Sequence, residues 1–452
     1  MQQPVSEELD FGKTEVTKLF RKIFIPTLLG MIAGVSLTIA DGIFVGQGVG
    51  SDALAAINII APLFMIVTGV ALMAGIGCSI AVSLQMAKGK MFGAMMHMSQ
   101  SIIVFTIFMG VLSLLMVSVS GEVANLLGAT ERLRPLAVNY LYYIAGGFPF
   151  LLLMNVGMFV IRLDGSPRYA MLCSVIPAFI NIVLDYVFIF PLGMGLKGAA
   201  IATAIGFASG GVMVIAYLLL GARLLKIRFV WRPDLRLLKQ MARNIGWHIE
   251  LGSSALFGEL AVAVMMFVGN YVFVRMLGEE GVAAFSVACY CYPLVFMISN
   301  AIGQSAQPII SYNHGLGDKS RIRKAVRLTF LTATVFGIVI TGVMMIFGRQ
   351  IISLFLSPGE KAFAIAVEGM PLFALGFLFF LLNIAAISYY QSTERSRVAT
   401  TVSTLRGVIF PVTTFMLLPT LWGVAGIWLS VGCADLMGLA VFLAIFVYDK
   451  KK

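Results

Sequence analysis

The chain has 452 residues, of which 60% are hydrophobic and only 12% are charged, and its formal net charge is +11. Long runs of Leu, Ile, Val, Ala, Phe and Met exclude an ordinary soluble domain and indicate a protein that crosses a membrane many times. No phosphate-binding loop, zinc-protease motif or hydrolase nucleophile elbow occurs in the sequence, so we expect no enzyme, no cofactor and no structural metal.

Apolar stretches long enough to cross a bilayer predict twelve transmembrane helices. In the first half they cover 23–46, 54–80, 97–119, 138–161, 168–190 and 198–220. In the second half they cover 249–275, 282–310, 326–347, 363–389, 398–419 and 424–447. Because these runs are far longer than barrel strands, the predicted fold is an all-α polytopic membrane protein.

The second half of the chain repeats the first. A shift of 228 residues superimposes the two halves without a gap. The matches include Gly50, Gly75, Ser83, Asn155, Pro191 and Gly195, which fall on Gly278, Gly303, Ser311, Asn383, Pro419 and Gly423. The sequence therefore predicts two pseudo-symmetric six-helix lobes, and in transporters of this kind the interface between repeats holds the substrate.

These elements define the predicted domains. They are an N-terminal segment at 1–22, an N-lobe at 23–220, a basic linker at 221–248, a C-lobe at 249–447 and a tail at 448–452. Basic residues gather on one side: Lys13, Lys18, Arg21 and Lys22 near the N-terminus, the even-numbered loops, and Lys450, Lys451 and Lys452. The positive-inside rule then predicts cytoplasmic termini in the cell (inner) membrane, and the basic clusters indicate orientation and lipid contact rather than nucleic acid.

Ionisable residues inside the predicted helices are few, and such residues are costly in hydrocarbon and functional by default. In the first half, Asp41 and Asp185 lie at nearly the same depth of helices 1 and 5, and Asn181 shares the helix face of Asp185. Two desolvated carboxylates close together hold a proton or a cation. Alternatively, Asp41 binds interfacial water and Asp185 caps the turn before Pro191.

The internal repeat favours the functional interpretation of these two acids. The repeat partners of Asp41 and Asp185 are Gly269 and Thr413, so the scaffold does not need acids at these positions.

The second half carries a different set of polar residues. Glu259 and Arg406 lie at comparable depth, which predicts either a buried ion pair or a second cation or substrate site. The remaining candidates for a C-lobe polar site are Asp435, Asn383, Gln304 and Gln307, which either line the cavity or bond neighbouring helices.

The histidines and cysteines indicate no metal site. His97, His248 and His314 are predicted to be isolated and near helix ends, and all five cysteines fall inside predicted helices as small apolar residues.

Several motifs together resemble the multidrug and toxic compound extrusion (MATE) family over essentially the whole chain. They are the segment from Asp41 to Gly46 (DGIFVG), Ala53 to Ala56, Gly75 to Gly77, Asn181 to Asp185, and Gln307-Pro308 to Asn313 with Gly315. The pattern of carboxylates is most similar to the DinF-like branch, and the eighth helix is similar to bacterial MepA-like members.

This resemblance implies an antiporter that exports organic cations by alternating access, driven by entry of H⁺ or Na⁺. It implies a coupling-ion site at Asp41, Tyr140, Asn181, Asp185 and Thr203, and a hinge at Pro26 in the first helix. The NorM-like branch has C-lobe acids, but this chain has Asn383 where the second acid of that branch is expected.

Two other functions are compatible with the sequence. A flippase of the same superfamily would take a lipid-linked or polyanionic substrate, but Arg406 is the only basic residue deep in a predicted helix. A channel or membrane enzyme is the alternative of another class, and no filter repeat or catalytic constellation supports it. The expected partners are small organic cations and the lipid bilayer, with no nucleic acid and no obligatory protein partner.

Overall fold

A computed structural model describes residues 10–227 and 235–451 of the chain. These residues are almost entirely helical and contain no strand. Some predicted regions lie outside them: residues 1–9 of the N-terminal segment, 228–234 of the linker, Lys452, and the side chains of Lys450 and Lys451.

The first half folds into eight helices. They are α1 (Val16–Gly48), α2 (Ser51–Ala87), α3 (Met91–Ser118), α4 (Ser120–Leu126), α5 (Arg134–Ala145), α6 (Phe148–Leu163), α7 (Pro167–Ile189) and α8 (Gly195–Ala216). A π turn, Tyr217–Gly221, extends α8. The span predicted at 138–161 corresponds to α5 and α6, which together form one span that bends by 47°. The bend occurs at Gly146 and Gly147, where Gly147 lies against the backbone of Ala204 on α8.

The described residues of the second half form five helices, four of them long and one short. They are α9 (Leu235–Leu316), α10 (Lys319–Ile352), α11 (Lys361–Ser392), α12 (Ser396–Thr404) and α13 (Phe410–Lys451). A π turn, Leu405–Ile409, joins α12 to α13. Non-helical glycines divide α9 and α13 into two arms each: Gly278 (φ 68°, ψ −159°) and Gly423 (φ 57°, ψ −132°).

The number of membrane spans agrees with the sequence. Among the described residues, nine helices are long and apolar enough to cross a bilayer, and the bent pair α5–α6 supplies a tenth span. Two of the nine, α9 and the helix running from α12 into α13, each consist of two arms. Counting each arm gives the twelve spans predicted.

The internal repeat is visible in the backbone. Glycines with positive φ occur at matched positions: Gly50 (113°) and Gly278 (68°), Gly89 (69°) and Gly317 (75°), and Gly195 (58°) and Gly423 (57°). Other residues rarely adopt this conformation. Both halves therefore turn the chain at the same three places, which confirms the repeat.

A fourth match uses different chemistry in the two halves. Pro177 interrupts α7, and its repeat partner is Leu405, the first residue of the π turn between α12 and α13. A proline inside a helix removes one backbone hydrogen bond, and a π turn inserts an extra residue. Each half therefore carries a local irregularity at the same position of its fifth span.

The chain divides into two compact units. Unit 1 is Met1–Leu256 with Ser311–Asp318, and unit 2 is Phe257–Ile310 with Lys319–Lys452. The predicted N-lobe ends at 220, whereas unit 1 also contains the beginning and the end of α9. The reason is packing on α2: Ser311 shares a hydrogen bond of 2.6 Å with Ser83, and Gly315 lies against Ala87.

Similar connections close one end of each unit. In unit 1, the Asp164 carboxylate follows α6 and accepts hydrogen bonds from the backbone N–H groups of Arg223, Leu224 and Leu225, each 2.8 Å long. In unit 2, the guanidinium group of Arg395 follows α11 and pairs with the carboxylate of Asp449. Each unit thus fixes the loop before its fifth span to the chain at the end of its sixth.

Candidate functional site

The acids predicted in the first half lie in unit 1, toward the end where α1 and α7 finish. Asp185 and Asn181 are completely buried on one face of α7, and Asp41 is partly buried on α1. The helices α1 and α7 pack along each other. Gly30 lies in van der Waals contact with this part of α7, next to Ser174 and Met171.

The structure places Asp41, Asp185 and Tyr140 within electrostatic range of one another, and this cluster together with Asn181 and Thr203 is called the pocket below. The two carboxylates are close enough for direct charge–charge interaction, and both interact electrostatically with the buried hydroxyl of Tyr140 on α5. The arrangement therefore combines residues from three helices. The two acids predicted to share a depth thus interact electrostatically.

Asn181, on the same helix as Asp185, is hydrogen-bonded to Thr203 on α8. Asn181 Nδ2 donates a hydrogen bond of 3.3 Å to Thr203 Oγ1, and the Thr203 hydroxyl donates to the carbonyl of Ala199 at 3.0 Å. All five residues predicted for the coupling-ion site thus belong to unit 1, and Asn181 and Thr203 are in direct contact.

Four acceptor atoms of this pocket are buried without a donor. Within the described part of the chain, no group donates a hydrogen bond to Asp41 Oδ1, to either carboxylate oxygen of Asp185, or to Asn181 Oδ1. Neither oxygen of Asp185 bonds to the turn before Pro191, so the alternative role as a cap is wrong. Buried polar atoms are normally satisfied, and a cluster of unpaired acceptors is suited to a proton or a small cation.

Pro26 lies inside α1, which is continuous through it, and its ring is buried. Because proline has no N–H, the carbonyl of Lys22 lacks its helical donor, which weakens the helix locally. Pro26 is 15 residues before Asp41, or about 22 Å along the axis. Its function as a hinge remains a prediction.

Unit 2 contains a buried ion pair. Arg406 Nε lies 3.0 Å from Asp435 Oδ1, and both side chains are at most 5% exposed. Asn383 Nδ2 donates to the Asp435 carbonyl at 2.7 Å and to its Oδ1 at 3.3 Å. The Arg406 guanidinium also lies over the Phe380 ring, 4.6 Å from its centroid. This charge is therefore already neutralised by the protein.

The predicted pairing of Glu259 with Arg406 is wrong. Arg406 pairs with Asp435 instead, and Glu259 forms no ion pair with any residue that the structure describes. The prediction used the depth of Glu259 and Arg406 along their helices, and depth does not give the direction of a side chain around its helix axis. Arg406 is also part of the π turn, which changes that direction relative to a regular helix. Gln304 and Gln307 are buried on α9.

The sequence analysis missed a pair of histidines. His97 and His248 were predicted to be isolated, but His97 Nδ1 lies 3.0 Å from His248 Nε2. The residues are 151 positions apart in the chain, on α3 and α9. No spacing or motif in the sequence indicates this contact.

Comparison with known proteins identifies the family. The MatE family model matches twice, at residues 26–187 and 255–416, one copy in each half of the repeat. The chain is 24% identical over 445 residues to the multidrug export protein MepA of Staphylococcus saprophyticus, covering 97% of this chain and 95% of MepA.

Solved structures share the fold. A MATE family transporter of the MOP superfamily in an outward-facing conformation has a TM-score of 0.88 at 21% identity, over 98% of this chain and 97% of that one. A MATE protein in complex with MaD3S also has a TM-score of 0.88, at 22% identity, over 99% of this chain and all of that one. The chain therefore belongs to the MatE family of multidrug efflux transporters and is a multi-pass membrane transporter, not an enzyme.

Proposed function

We propose that this protein is a secondary antiporter that exports organic cations and amphipathic drugs by alternating access, in exchange for H⁺ or Na⁺. The observation that carries the proposal is the set of four buried, unpaired acceptor oxygens on Asp41, Asp185 and Asn181. The names of the relatives support export of small molecules, since the matched Staphylococcus proteins are multidrug exporters.

The proposed coupling is competition for one pocket. A cationic drug and a coupling ion both interact favourably with the carboxylates, so binding of one opposes binding of the other by the same free energy. The donor set consists of oxygens only, which fits a proton on either carboxylate or a Na⁺ ion held by Asp41, Asp185, Asn181 and Thr203. Tyr140 adds a hydroxyl that can donate to a carboxylate or orient the bound ion.

We propose the following orientation. The end of unit 1 where α1 begins and α2 finishes, called here the basic end, carries Lys18, Lys22, Lys88 and Lys90. By the positive-inside rule it faces the cytoplasm in the cell membrane, with both termini on that side. The carboxylate pocket then lies toward the outside, where a coupling ion enters.

Transport in proteoliposomes tests this proposal. Ethidium flux is measured with a pH gradient or a Na⁺ gradient imposed separately, for the wild type, Asp41→Asn and Asp185→Asn. We expect one gradient to drive wild-type flux and both variants to lose gradient-driven flux. The matched control is Asp52→Asn, since Asp52 is an exposed acid paired with Arg132 at 2.7 Å, and it should transport normally. Wild-type flux in Asp41→Asn would contradict the proposal.

The structure does not favour the flippase. A polyanionic headgroup requires available cations, whereas the buried guanidinium of Arg406 is already paired with Asp435. Flux that saturates with ethidium concentration and stops without an ion gradient distinguishes a carrier from a channel.

A further inference from the structure

A second titratable cluster lies at the basic end of unit 1, away from the carboxylates. His97 is the seventh residue of α3, whereas Asp185 is four residues from the far end of α7. His248 is completely buried, and His97 is 7% exposed and lines a cleft of about 640 Å³. The imidazole of His97 can therefore exchange protons with solvent directly, whereas His248 can do so only through His97.

The histidine pair lies where the beginning of α9 packs closely against α2. A methyl group at Gly77 on α2 would overlap the carbonyl of His248, and a methyl group at Gly252 on α9 would overlap the carbonyl of Met73. Two glycines thus let the backbones of α2 and α9 touch, as small residues do between membrane helices. Any movement of His248 must displace this backbone contact.

Two polar pairs hold α3 against the same part of α9. One is the His97–His248 hydrogen bond, and the other joins Asn244 Nδ2 to Gln100 Oε1 at 2.9 Å. Trp247 packs its ring edgewise on His97, with centroids 5.5 Å apart. A short row of side chains therefore joins α3 to α9, and the imidazoles are the members of this row that can take up a proton.

The hydrogen bond between the imidazoles tolerates only one arrangement of protons. His248 Nδ1 is buried and has no partner among the described residues, so an N–H there would be an orphaned donor. The favoured neutral state consequently has His248 Nε2–H donating to a bare His97 Nδ1. A proton taken by His97 at that nitrogen places N–H against N–H. The alternative is to shift the His248 proton to the orphaned position, and either outcome weakens the contact.

The charged groups around the histidine pair include one acid of the cleft, Glu250 of α9. The cleft is also lined by Arg243 of α9. The neighbouring helices carry Cys78, next to Gly77 on α2, and Arg162 on α6, whose guanidinium lies over the Phe159 ring. Neither imidazole forms an ion pair with any of these groups among the described residues. A cation on the pair is therefore both buried and unpaired, which is unfavourable.

We propose that the His97–His248 pair is a proton-binding site whose protonation releases the beginning of α9 from α3. Lowering the pH therefore separates the beginning of α9 from α3, and raising the pH restores the contact. With the orientation proposed above, the site responds to cytoplasmic pH, whereas the carboxylates respond to the outer side.

Pulsed electron–electron resonance between two spin labels tests this inference. The labels are placed by Phe92→Cys on α3 and Leu238→Cys on α9, both exposed positions, after replacing the five native cysteines with alanine. The Asp41→Asn and Asp185→Asn changes are included so that the carboxylates cannot contribute. Between about pH 8 and about pH 5 we expect a longer distance to grow at the expense of the shorter one. The ratio of the two should change by up to about tenfold per pH unit for one proton.

The variants separate this site from other causes. His97→Gln keeps a polar side chain that does not titrate, and the pH response should disappear. His314→Gln removes the remaining histidine of the chain and should leave the response intact. A response that persists in His97→Gln, or that is absent from the wild type, would overturn the proposal.

A second measurement covers the case in which His97→Gln does not fold. The Asp41→Asn, Asp185→Asn protein with all three histidines in place, labelled with ¹³C-histidine, has three imidazole signals, and two of them should titrate together with the distance change. Independent titration of all three would also overturn the proposal. Because the carboxylates are neutralised throughout, failure here does not affect the proposed antiport.

Discussion

At one position of the internal repeat, unit 1 has a polar pocket and unit 2 has a solid aromatic core. The partner of Asp41 is Gly269, where any side chain would collide with the Phe285 ring. Phe285 stacks on Phe273 with ring centroids 4.5 Å apart, and Phe273 meets Trp428 at 4.9 Å. At this repeat position the same scaffold thus holds an acid in one unit and packed aromatic rings in the other.

The partner of Asp185 shows the same contrast. Thr413 is exposed and its hydroxyl donates to the carbonyl of Ile409 at 2.8 Å, whereas Asp185 is buried and bonds to nothing described. In unit 2, by contrast, the buried charges of Arg406 and Asp435 form an ion pair with each other. We expect a buried polar side chain that stabilises the fold to have its ion-pair or hydrogen-bond partners within the protein, and one that binds an ion to lack them. The following predictions test this distinction by stability.

The largest loss of stability is expected from Asp435→Ala. This change leaves the Arg406 guanidinium buried and unpaired, which costs about 3–5 kcal/mol of unfolding free energy. The double variant Arg406→Met with Asp435→Leu removes both charges and should be as stable as the wild type. Denaturant unfolding in detergent measures both, and a stable Asp435→Ala variant would contradict a structural function of the pair.

Gly269→Ala should have the next largest effect. The added methyl group overlaps the Phe285 ring in a packed core, and overpacking of this kind costs about 1–3 kcal/mol. Gly42→Ala, on α1 of unit 1, is the matched control because open space surrounds Gly42. The difference in melting temperature between the two variants gives the result, and equal stability would mean that the aromatic core is loosely packed.

Gly195→Ala and Gly423→Ala test the similarity of the two units rather than their difference. Both glycines have positive φ, at 58° and 57°, at matched positions. Forcing an L-residue into this region costs about 1–2 kcal/mol, so the two variants should lose similar stability. Thermal unfolding of both provides the comparison, and a large inequality would show that the repeat is not energetically equivalent here.

Asp185→Asn should have the smallest effect on stability. Since neither carboxylate oxygen accepts a hydrogen bond from the described residues, the variant loses no protein contact and removes a buried charge. We expect unfolding free energy equal to or above that of the wild type, together with loss of gradient-driven transport. If the variant unfolds readily, Asp185 has a structural function that the pocket geometry does not show.

The sequence predicted the fold well because its signals are local. Span length, the 228-residue repeat and the matched glycines each require only neighbouring residues or a constant shift. The sequence also predicted that Asp41 and Asp185 lie at nearly the same depth. Each acid is a similar number of residues from the start of its helix, and the two helices run in the same direction.

Side-chain direction could not be predicted in the same way. The sequence predicted comparable depth for Glu259 and Arg406. The π turn and the rotation of each helix set the side-chain directions, and Arg406 pairs with Asp435. The bend at Gly146 and Gly147 and the pairing of His97 with His248 depend on packing between distant segments. Contacts between distant segments produce no periodic pattern in the sequence.

The most direct test of the central claim is ethidium binding to purified protein at several pH values and Na⁺ concentrations. If one pocket exchanges cargo for an ion, wild-type affinity should fall by up to about tenfold per pH unit of acidification, or in proportion to added Na⁺. The Asp41→Asn, Asp185→Asn double variant should show neither dependence. The same dependence in both proteins would contradict the assignment of the coupling site to these two acids.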